Sequence, residues 1–451
     1  MIADCWNRYL ISLARIAFCW ALSVVPLVHA QTVKDREGAV RNDRKTLSSS
    51  ERWIYNDFKA ALRKGEETGK PVMVALRCIP CLACSGFDAQ VLMENTELTR
   101  LLDQFVCVRL INANTLDLSL FQFDYDLSFS AMFLNGDGTI YGRFGSWAHQ
   151  EDAQNKATNS MKEALEAVLS LHQGYPDNGS SLSGKKPTPL PYKTPVDIPG
   201  LSGKYGPDLN WNGKVVQSCV HCHQVGDAIR LDYRNRKMPI PDQWLFPFPQ
   251  PEVIGLHLAE DARAKVKSVD RDSLAAAAGF KAGDEILTVK GQPLISIADF
   301  SWVLHNSKSG DSLKAEVLRQ GKKGELTISL TGKWRENPDH TQRVGTWPLR
   351  GIALGGMKLS EVSDDDRSRR GLSKDQMALL VEHVGKYGKH AAAHKAGVKE
   401  NDIIVACDNI TERLTEKQLI ARIVEQKFPG DKVKLTVRRS GKESEIIVPV
   451  Q

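Results

Sequence analysis

The sequence predicts a multidomain chain with an α/β domain, a short cysteine-containing segment, and two mainly β (α+β) domains that are copies of one another. Residues 50–172 alternate helical and strand patterns, which predicts the α/β domain. Residues 173–206 are rich in Gly, Ser, Pro and Lys, which predicts a linker. Further along, AGFKAGDEIL (from Ala278) recurs as AGVKENDIIV (from Ala396), with other matching blocks in the same order, which predicts an internal repeat.

The composition is that of folded, globular material. The 451 residues, 42% of them hydrophobic and 25% charged, leave room for two to four domains. The net charge is +6, and Lys and Arg are scattered among Asp and Glu. Since nucleic-acid binding requires a basic patch or stripe, the sequence predicts no nucleic-acid partner.

The N-terminus has the pattern of a secretory signal. Arg8 and Arg15 precede an apolar run from Ile16 to Val28, and the small residue Ala30 closes the segment. The run is shorter than the roughly 20 apolar residues that span a bilayer. We therefore expect a signal peptide over residues 1–30, no transmembrane segment after its cleavage, and export to the periplasm or the extracellular medium. A retained N-terminal anchor is the alternative.

Residues 31–49 are polar and charged, and we expect a flexible leader there. Alternating patterns then predict the elements of residues 50–172 in order. They are a helix in NDFKAALRKGEETGK, a strand in PVMVALR, a helix after the cysteines, a strand in FVCVRLI, a hairpin in AMFLNGDGTIYGRF and a closing helix in MKEALEAVLSLH.

The stretch RCIPCLACSGFD holds Cys78, Cys81 and Cys84 at even spacing, so it contains two overlapping C-x-x-C pairs. A strand that enters such a pair at the start of a helix forms a thiol–disulfide site, because the helix N-terminus favours a thiolate at the first cysteine. The spacing alone leaves both pairs open.

Residues 50–172 resemble the secreted subgroup of thioredoxin-fold domains, with KPVMV before the cysteines and C-x-x-F-D after them. The resemblance implies that Cys81 is the catalytic nucleophile and Cys84 the resolving thiol of an oxidoreductase that acts on a disulfide-bearing protein. A structural disulfide and a metal ion bound by the three thiols are the alternatives. The chain departs from the family at Pro80, where tryptophan is usual, and at Phe129, where a cis-proline is usual.

The motif CVHCH, from Cys219 to His223, lies in the short segment of residues 207–250. C-x-x-C-H is the pattern of covalent c-type haem attachment. In that chemistry the thiols of Cys219 and Cys222 bond the haem vinyl groups, and His223 is the proximal ligand of the haem iron. The sequence therefore predicts haem c as a cofactor, and export supplies the condition for its attachment.

The distal iron ligand is left open. Met238, in KMPIP, is the predicted ligand, with His221 and His257 as alternatives. A zinc site made by the two cysteines and two histidines of CVHCH competes with haem, and a plain disulfide is the third alternative.

Residues 251–335 and 346–451 each begin with a Gly-hydrophobic-x-hydrophobic block and continue with a strand, the repeated A-G block, a helix and two strands. This order resembles PDZ domains of the bacterial HtrA type. The resemblance implies that the copies bind the C-termini of protein partners by strand addition, with backbone amides holding the carboxylate. The implied peptide-binding residues are Val253, Ile254, Gly255, Leu256, Leu354, Gly355, Gly356 and Met357.

Together these resemblances imply an exported modular redox protein, in which a thioredoxin-like α/β domain and two PDZ domains are joined by a short haem-motif segment. The competing hypothesis is a non-catalytic PDZ scaffold or redox sensor with a degenerate thioredoxin fold. HtrA-type PDZ domains usually follow a serine protease, but the sequence contains neither a G-N-S-G-G nor a G-x-S-x-G segment, so it predicts no serine protease.

Overall fold

The computed structural model describes residues 35–80, 96–146, 156–336, 343 and 345–451. The predicted signal peptide of residues 1–30 lies outside the described residues, and so do Cys81 and Cys84. In the described part of the chain, no helix is long and apolar enough to cross a membrane.

The first domain is built on a mixed sheet. Its described strands are β1 (Trp53–Tyr55), β2 (Val72–Arg77), β3 (Val106–Leu110), β4 (Phe129–Leu134) and β5 (Ile140–Phe144). They follow the order β1-β3-β2-β4-β5, with β3 parallel to β1 and β2, and β4 antiparallel to β2 and β5. The three central strands read as continuous apolar runs because both faces of the sheet are covered.

Helices pack on both faces of this sheet. In the described residues they are α1 (Arg36–Leu47), α2 (Phe58–Thr68), α3 (Thr96–Leu102) and α4 (Lys156–Gln173). α2 begins where the Asp57 carboxylate accepts the Ala60 N–H, and it ends at Gly69 in the left-handed conformation. Alternate strand residues face opposite sides, so Val74 joins one core cluster and Met73 the other.

The segment expected to be a flexible leader forms helix α1 instead. Its Asp43 accepts hydrogen bonds from the guanidinium of Arg109 at 2.6 Å and from the Tyr55 hydroxyl at 2.8 Å. Arg109 is fully buried on β3, so a carboxylate has to be brought to it. Only Val40 and Leu47 of α1 are buried, and Glu37 adds a hydrogen bond from the Val215 N–H at 2.9 Å. Because much of its packing is polar, the sequence pattern did not predict this helix.

The residues predicted to be a linker, 173–206, are packed rather than free. They form a short helix and two 3-10 turns, which are α5 (Gly179–Leu182), Ser183–Lys185 and Pro195–Asp197. Lys185 and Ile198 are fully buried, and Lys185 Nζ lies 2.8 Å from Asp299 Oδ2 in the first repeat. Single helical turns have no face to repeat, so the lack of apolar periodicity here reflects turns and not flexibility.

Residues 207–250 form a packed element between the domains. Their helices are α6 (Val215–Ser218), α7 (Cys222–Asn235) and α8 (Asp242–Leu245). Ile229 and Trp244 belong to the same core cluster as one face of the first sheet. Arg234, at the end of α7, is 1% exposed and donates to the carbonyls of Val424 at 3.4 Å and Gln451 at 3.2 Å. The segment therefore joins the first domain to the second repeat.

The first repeat has two small sheets, β6 with β7, and β11-β10-β8-β9. Its described elements are β6 (Leu256–Leu258), β7 (Val266–Val269), α9 (Leu274–Ala278), β8 (Glu285–Val289), β9 (Gln292–Pro293), α10 (Ile297–His305), β10 (Ser312–Arg319) and β11 (Lys322–Ser329). A 3-10 turn over Pro251–Ile254 leads into β6.

The second repeat has one sheet with the order β12-β13-β14-β15-β16. Its described elements are α11 (Thr346–Leu354), β12 (Met357–Glu361), α12 (Asp364–Arg369), β13 (Leu379–Val384), α13 (Ala392–Ala396), β14 (Ile403–Cys407), α14 (Glu416–Gln426), β15 (Lys432–Arg439) and β16 (Lys442–Pro449). Each repeat ends in an antiparallel hairpin of two eight-residue strands, as expected for two copies of one domain.

Candidate functional site

The first part of the candidate site is the end of β2. The backbone N–H of Cys78, the residue after β2, donates to the Ser128 carbonyl at 3.0 Å, which fixes the chain where the cysteine loop begins. In the sheet register, Phe129 lies opposite Arg77. The position at which the thioredoxin family carries its cis-proline is thus beside the entry to the cysteine loop. The predicted catalytic pair, Cys81 and Cys84, lies outside the described residues.

The second part is the CVHCH segment, which Asn114 holds in place. Asn114 is fully buried in the loop after β3. Its side-chain oxygen accepts the Val220 N–H at 2.7 Å, and its side-chain nitrogen donates to the Ser218 carbonyl at 2.8 Å. Helix α7 then starts with a capping interaction in which Gln224 Oε1 accepts the His221 N–H at 2.9 Å.

The end of β2 and the CVHCH segment contact each other through a thiol and an imidazole. Cys78 Sγ lies 3.3 Å from His221 Nδ1, within hydrogen-bonding distance for sulfur. Both residues line a cavity of about 30 Å³, together with Cys219 and Cys222. That volume is close to the space one water molecule occupies in the liquid. Three cysteines and a histidine from distant parts of the sequence therefore share one small site.

The thiol of Cys219 is held in its protonated form. Burial raises the pKa of Cys219 to about 11. The thiol points toward the backbone carbonyls of Ile111 and Val220, each at 3.4 Å. Cys222 is only partly buried and occupies the first position of α7. Cys219 is partly buried as well, so the two cysteines differ in position, since only Cys222 lies on helix α7.

The remaining described cysteines lie away from this site. Cys107 on β3 and Cys407 on β14 are buried, and burial raises the pKa of each thiol to about 12. Both serve as small apolar core residues.

The described residues do not bring the predicted haem ligands together. Cys219 turns its sulfur inward to the Ile111 carbonyl at 3.4 Å. Met238 follows the far end of the 14-residue helix α7 and is 43% exposed, whereas His223 lies in its first turn. A helix of that length spans roughly 21 Å, so the two side chains do not converge on one iron.

The alternative ligands do not converge either. His257 lies on β6 and pairs with Asp270 at 2.9 Å. Among the described residues, no group of three or more His, Cys, Asp or Glu side chains is placed to hold a metal ion. Haem c and zinc therefore stay predictions from the motif.

The eight predicted peptide-binding residues lie at the starts of β6 and β12, and all of them are buried. The backbone N–H of Gly255 donates to the Glu252 carbonyl at 2.9 Å, and that of Gly356 donates to the Arg350 carbonyl at 2.9 Å. These amides are already engaged within the chain, so both loops are in a closed form.

Sequence reasoning missed Asn114, Arg350 and Glu416, which shape the two candidate sites. Arg350 and Glu416 form a bidentate pair at 2.9 and 2.6 Å. None of the three belongs to a motif. The stretch around Asn114, LINANTLDLS, mixes polar and apolar residues and gave no signal for it.

Comparisons with known families confirm the domain types. A family model described as a PDZ domain matches residues 253–330 and 380–450. A model described as thioredoxin-like matches residues 53–136. The chain therefore contains a thioredoxin-like domain and two PDZ domains, as the sequence predicts.

Similar curated proteins share only part of the chain. A probable periplasmic serine endoprotease, DegP-like, from Pseudomonas savastanoi pv. phaseolicola is 27% identical over 186 residues, which cover 41% of this chain and 37% of that protein. A DegP-like protein of the same description from Halomonas elongata is 29% identical over 148 residues, which cover 32% of this chain and 28% of that protein. The chain thus spans well under half the length of either relative.

Solved structures also match in part. The crystal structure of the serine endoprotease from Yersinia pestis has a TM-score of 0.16 at 31% identity, and the match covers 17% of this chain and 28% of that one. The HtrA-type protease AlgW with a decapeptide has a TM-score of 0.19 at 15% identity, and the match covers 31% of this chain and 49% of that one.

Proposed function

We propose that this protein is an exported thiol–disulfide oxidoreductase whose thiol site is shared by the cysteine loop and the CVHCH segment, and whose PDZ domains recruit the protein on which it acts. The observation that carries the proposal is the 3.3 Å separation of Cys78 Sγ and His221 Nδ1, which joins cysteine-bearing segments 143 residues apart. The DegP-like relatives are described as periplasmic, which agrees with export.

In the proposed reaction, the thiolate of Cys81 attacks one sulfur of a partner disulfide. The partner S–S bond breaks, a mixed disulfide forms, and one partner thiol leaves. Cys84 then attacks Cys81 Sγ, which closes the Cys81–Cys84 disulfide and releases the second partner thiol. Two electrons pass to the partner, and the two protons lost by the enzyme thiols end on the partner thiols.

The pair Cys219 and Cys222, which lines one cavity with Cys78, serves in this proposal as a second dithiol. Cys222 attacks the Cys81–Cys84 disulfide, and Cys219 resolves the mixed disulfide by attacking Cys222. The first pair is thereby reduced and the second oxidised, and an external dithiol reductant restores the second. The raised pKa of Cys219 suits a resolving thiol, because the protonated sulfur does not compete with Cys222 for the first attack.

Reduction of a model protein disulfide, such as that of insulin, tests the proposal on the full chain. We expect Cys81→Ser to abolish turnover and the double change Cys219→Ala with Cys222→Ala to slow multiple turnover without removing the first one. Cys407→Ala is the matched control, because Cys407 is a buried thiol outside the site. Turnover that does not depend on Cys81 would contradict the oxidoreductase proposal.

A non-catalytic scaffold is the second candidate function. It is favoured by Phe129, which lies opposite Arg77 where the thioredoxin family places a cis-proline, and by the packing of CVHCH over the end of β2. In a scaffold the thiol segments would be structural, and the same assay would give no turnover with the wild-type chain while peptide binding persists.

A further inference from the structure

The two PDZ domains differ in what covers the helix that borders the peptide groove. In the first, every residue of α10 except Ala298 is buried. The Asp299 side chain pairs with Lys185 at 2.8 Å and accepts the Arg143 N–H at 3.0 Å, and the groups are buried. The Trp302 indole N–H donates to the Gly184 carbonyl at 2.9 Å.

These contacts join α10 of the first PDZ domain to the thioredoxin-like domain. β5 is an edge strand of the first sheet, and Arg143 lies on it. Ser296 donates to the Arg143 carbonyl at 2.6 Å, so the start of α10 covers an edge that would otherwise be open to another strand. Because these contacts are buried, α10 is fixed to the thioredoxin-like domain.

In the second PDZ domain the groove is closed by the chain's own α11. This helix precedes β12 directly and packs against both β12 and α14. Arg350 of α11 forms the bidentate pair with Glu416 at the start of α14. The two side chains are only 11% and 13% exposed, so the pair is largely withdrawn from water.

Glu416 also accepts a hydrogen bond from a backbone N–H of the edge strand β12. One carboxylate oxygen accepts the Leu359 N–H at 2.7 Å. β12 is an edge strand, so a partner strand that adds there would place its own carbonyl on such a donor. Glu416 therefore stands where the backbone of an added peptide has to bond.

We propose that α11 and the Arg350–Glu416 pair form an internal cover on the second PDZ domain, and that the extended C-terminus of a partner protein displaces it. The proposal rests on the recruitment role given above. A peptide carbonyl replaces Glu416 at the Leu359 N–H, and the terminal carboxylate takes its place on Arg350. The guanidinium thus stays paired with a carboxylate in both states, which keeps the exchange from leaving a buried charge alone.

The test uses the full chain and a pool of biotinylated decapeptides with four randomised C-terminal residues, either as free acids or as amides. We expect Glu416→Ala to retain at least about fivefold more of the free-acid pool than the wild type, because a competitor is removed. In that background, Arg350→Ala should remove the preference for the free acid over the amide. Glu400→Ala is the control, since Glu400 lies in an exposed ion pair with His383 in the same domain.

Hydrogen exchange with the retained peptides locates the site. Protection of residues 357–361 supports the proposal, and protection of residues 256–258 instead would overturn it. So would equal or weaker retention by Glu416→Ala, or retention by no variant. Glu416→Gln replaces the alanine variant if the latter does not fold. Because the readout needs no thiol, a failure here is separate from a failure of disulfide turnover.

Discussion

Cys78 and His221 lie side by side, with 3.3 Å between Sγ and Nδ1, although 143 residues separate them in the chain. The contact joins the end of β2 to the first residues of the CVHCH segment. The thioredoxin-like domain and the C-x-x-C-H motif therefore form one site, although the sequence alone suggests two separate ones.

Replacing Asn114 with alanine should loosen the CVHCH segment. The buried amide bonds Val220 and Ser218, and its removal leaves the buried Val220 N–H and the part-buried Ser218 carbonyl without this partner. We expect the free energy of unfolding to fall by about 2–3 kcal/mol. Iodoacetamide should also label Cys222 faster in the native variant, as measured by mass spectrometry.

Asn112→Ala is the matched control for this change. Asn112 lies in the same loop but is less buried, and its side chain donates to the Pro207 carbonyl at 3.1 Å. A loss of stability as large for Asn112→Ala as for Asn114→Ala would show that the loop as a whole matters and that the anchor does not.

The pyridine haemochrome spectrum of the chain, produced with cytochrome c maturation machinery, should show no covalent haem. The reason is the inward thiol of Cys219 and the separation of His223 and Met238 along α7. Both cysteines of the motif should then be available to alkylation after unfolding. A haemochrome band, lost in Cys219→Ala, would restore the prediction made from the C-x-x-C-H spacing.

Local sequence patterns predicted the types of domain but not how the domains pack against one another. The repeated A-G block and the strand before the cysteines were sufficient to predict the PDZ and thioredoxin-like domains, because both depend on residues close in the chain. The Asn114–Val220 bond joins residues 106 positions apart, and nothing in either neighbourhood indicates the other.

The sequence-based predictions were wrong for the two segments that lack a clear hydrophobic pattern. Residues 173–206 and α1 lack an apolar stripe, and each contributes one residue to a buried ion pair, Lys185 with Asp299 and Asp43 with Arg109. Most charged residues lie on the solvated surface of a protein. The amino-acid composition of a segment therefore does not show which of its charged residues become buried in ion pairs.

Replacing Lys185 with methionine should separate α10 from the thioredoxin-like domain. Lys185 and Asp299 are 0% and 1% exposed, so the change leaves a carboxylate buried without its cation. We expect a loss of about 3–5 kcal/mol in the free energy of unfolding, measured by denaturant titration.

Two comparisons sharpen this expectation. Adding Asp299→Asn to Lys185→Met should recover part of the loss, because the uncompensated charge is removed. Lys290→Met is the control, since the Lys290–Asp311 pair is exposed and 3.5 Å long, and it should cost about 1 kcal/mol or less. Equal losses for Lys185 and Lys290 would refute the buried contact.

Acid should weaken the packing around α10 through His305. This residue is 5% exposed, its ring stacks on Phe248 at 4.1 Å, and its Nδ1 accepts the Phe248 N–H at 3.3 Å. Burial, with Arg335 nearby, lowers the pKa of His305 to about 3. The folded state therefore keeps the imidazole neutral over the range in which the unfolded chain gains a proton.

The folded and unfolded states differ in proton binding at His305, and this difference sets the direction in which stability changes with pH. The contribution of neutral His305 to stability is complete above pH 6.5 and is lost as the pH falls from there toward 3. Between pH 7.5 and pH 5.0, the wild type should lose about 2 kcal/mol more of its free energy of unfolding than His305→Gln, which keeps an acceptor but does not titrate. The exposed His394→Gln serves as control and should follow the wild type. Parallel pH profiles for the wild type and His305→Gln would show that the imidazole is not held neutral in this contact.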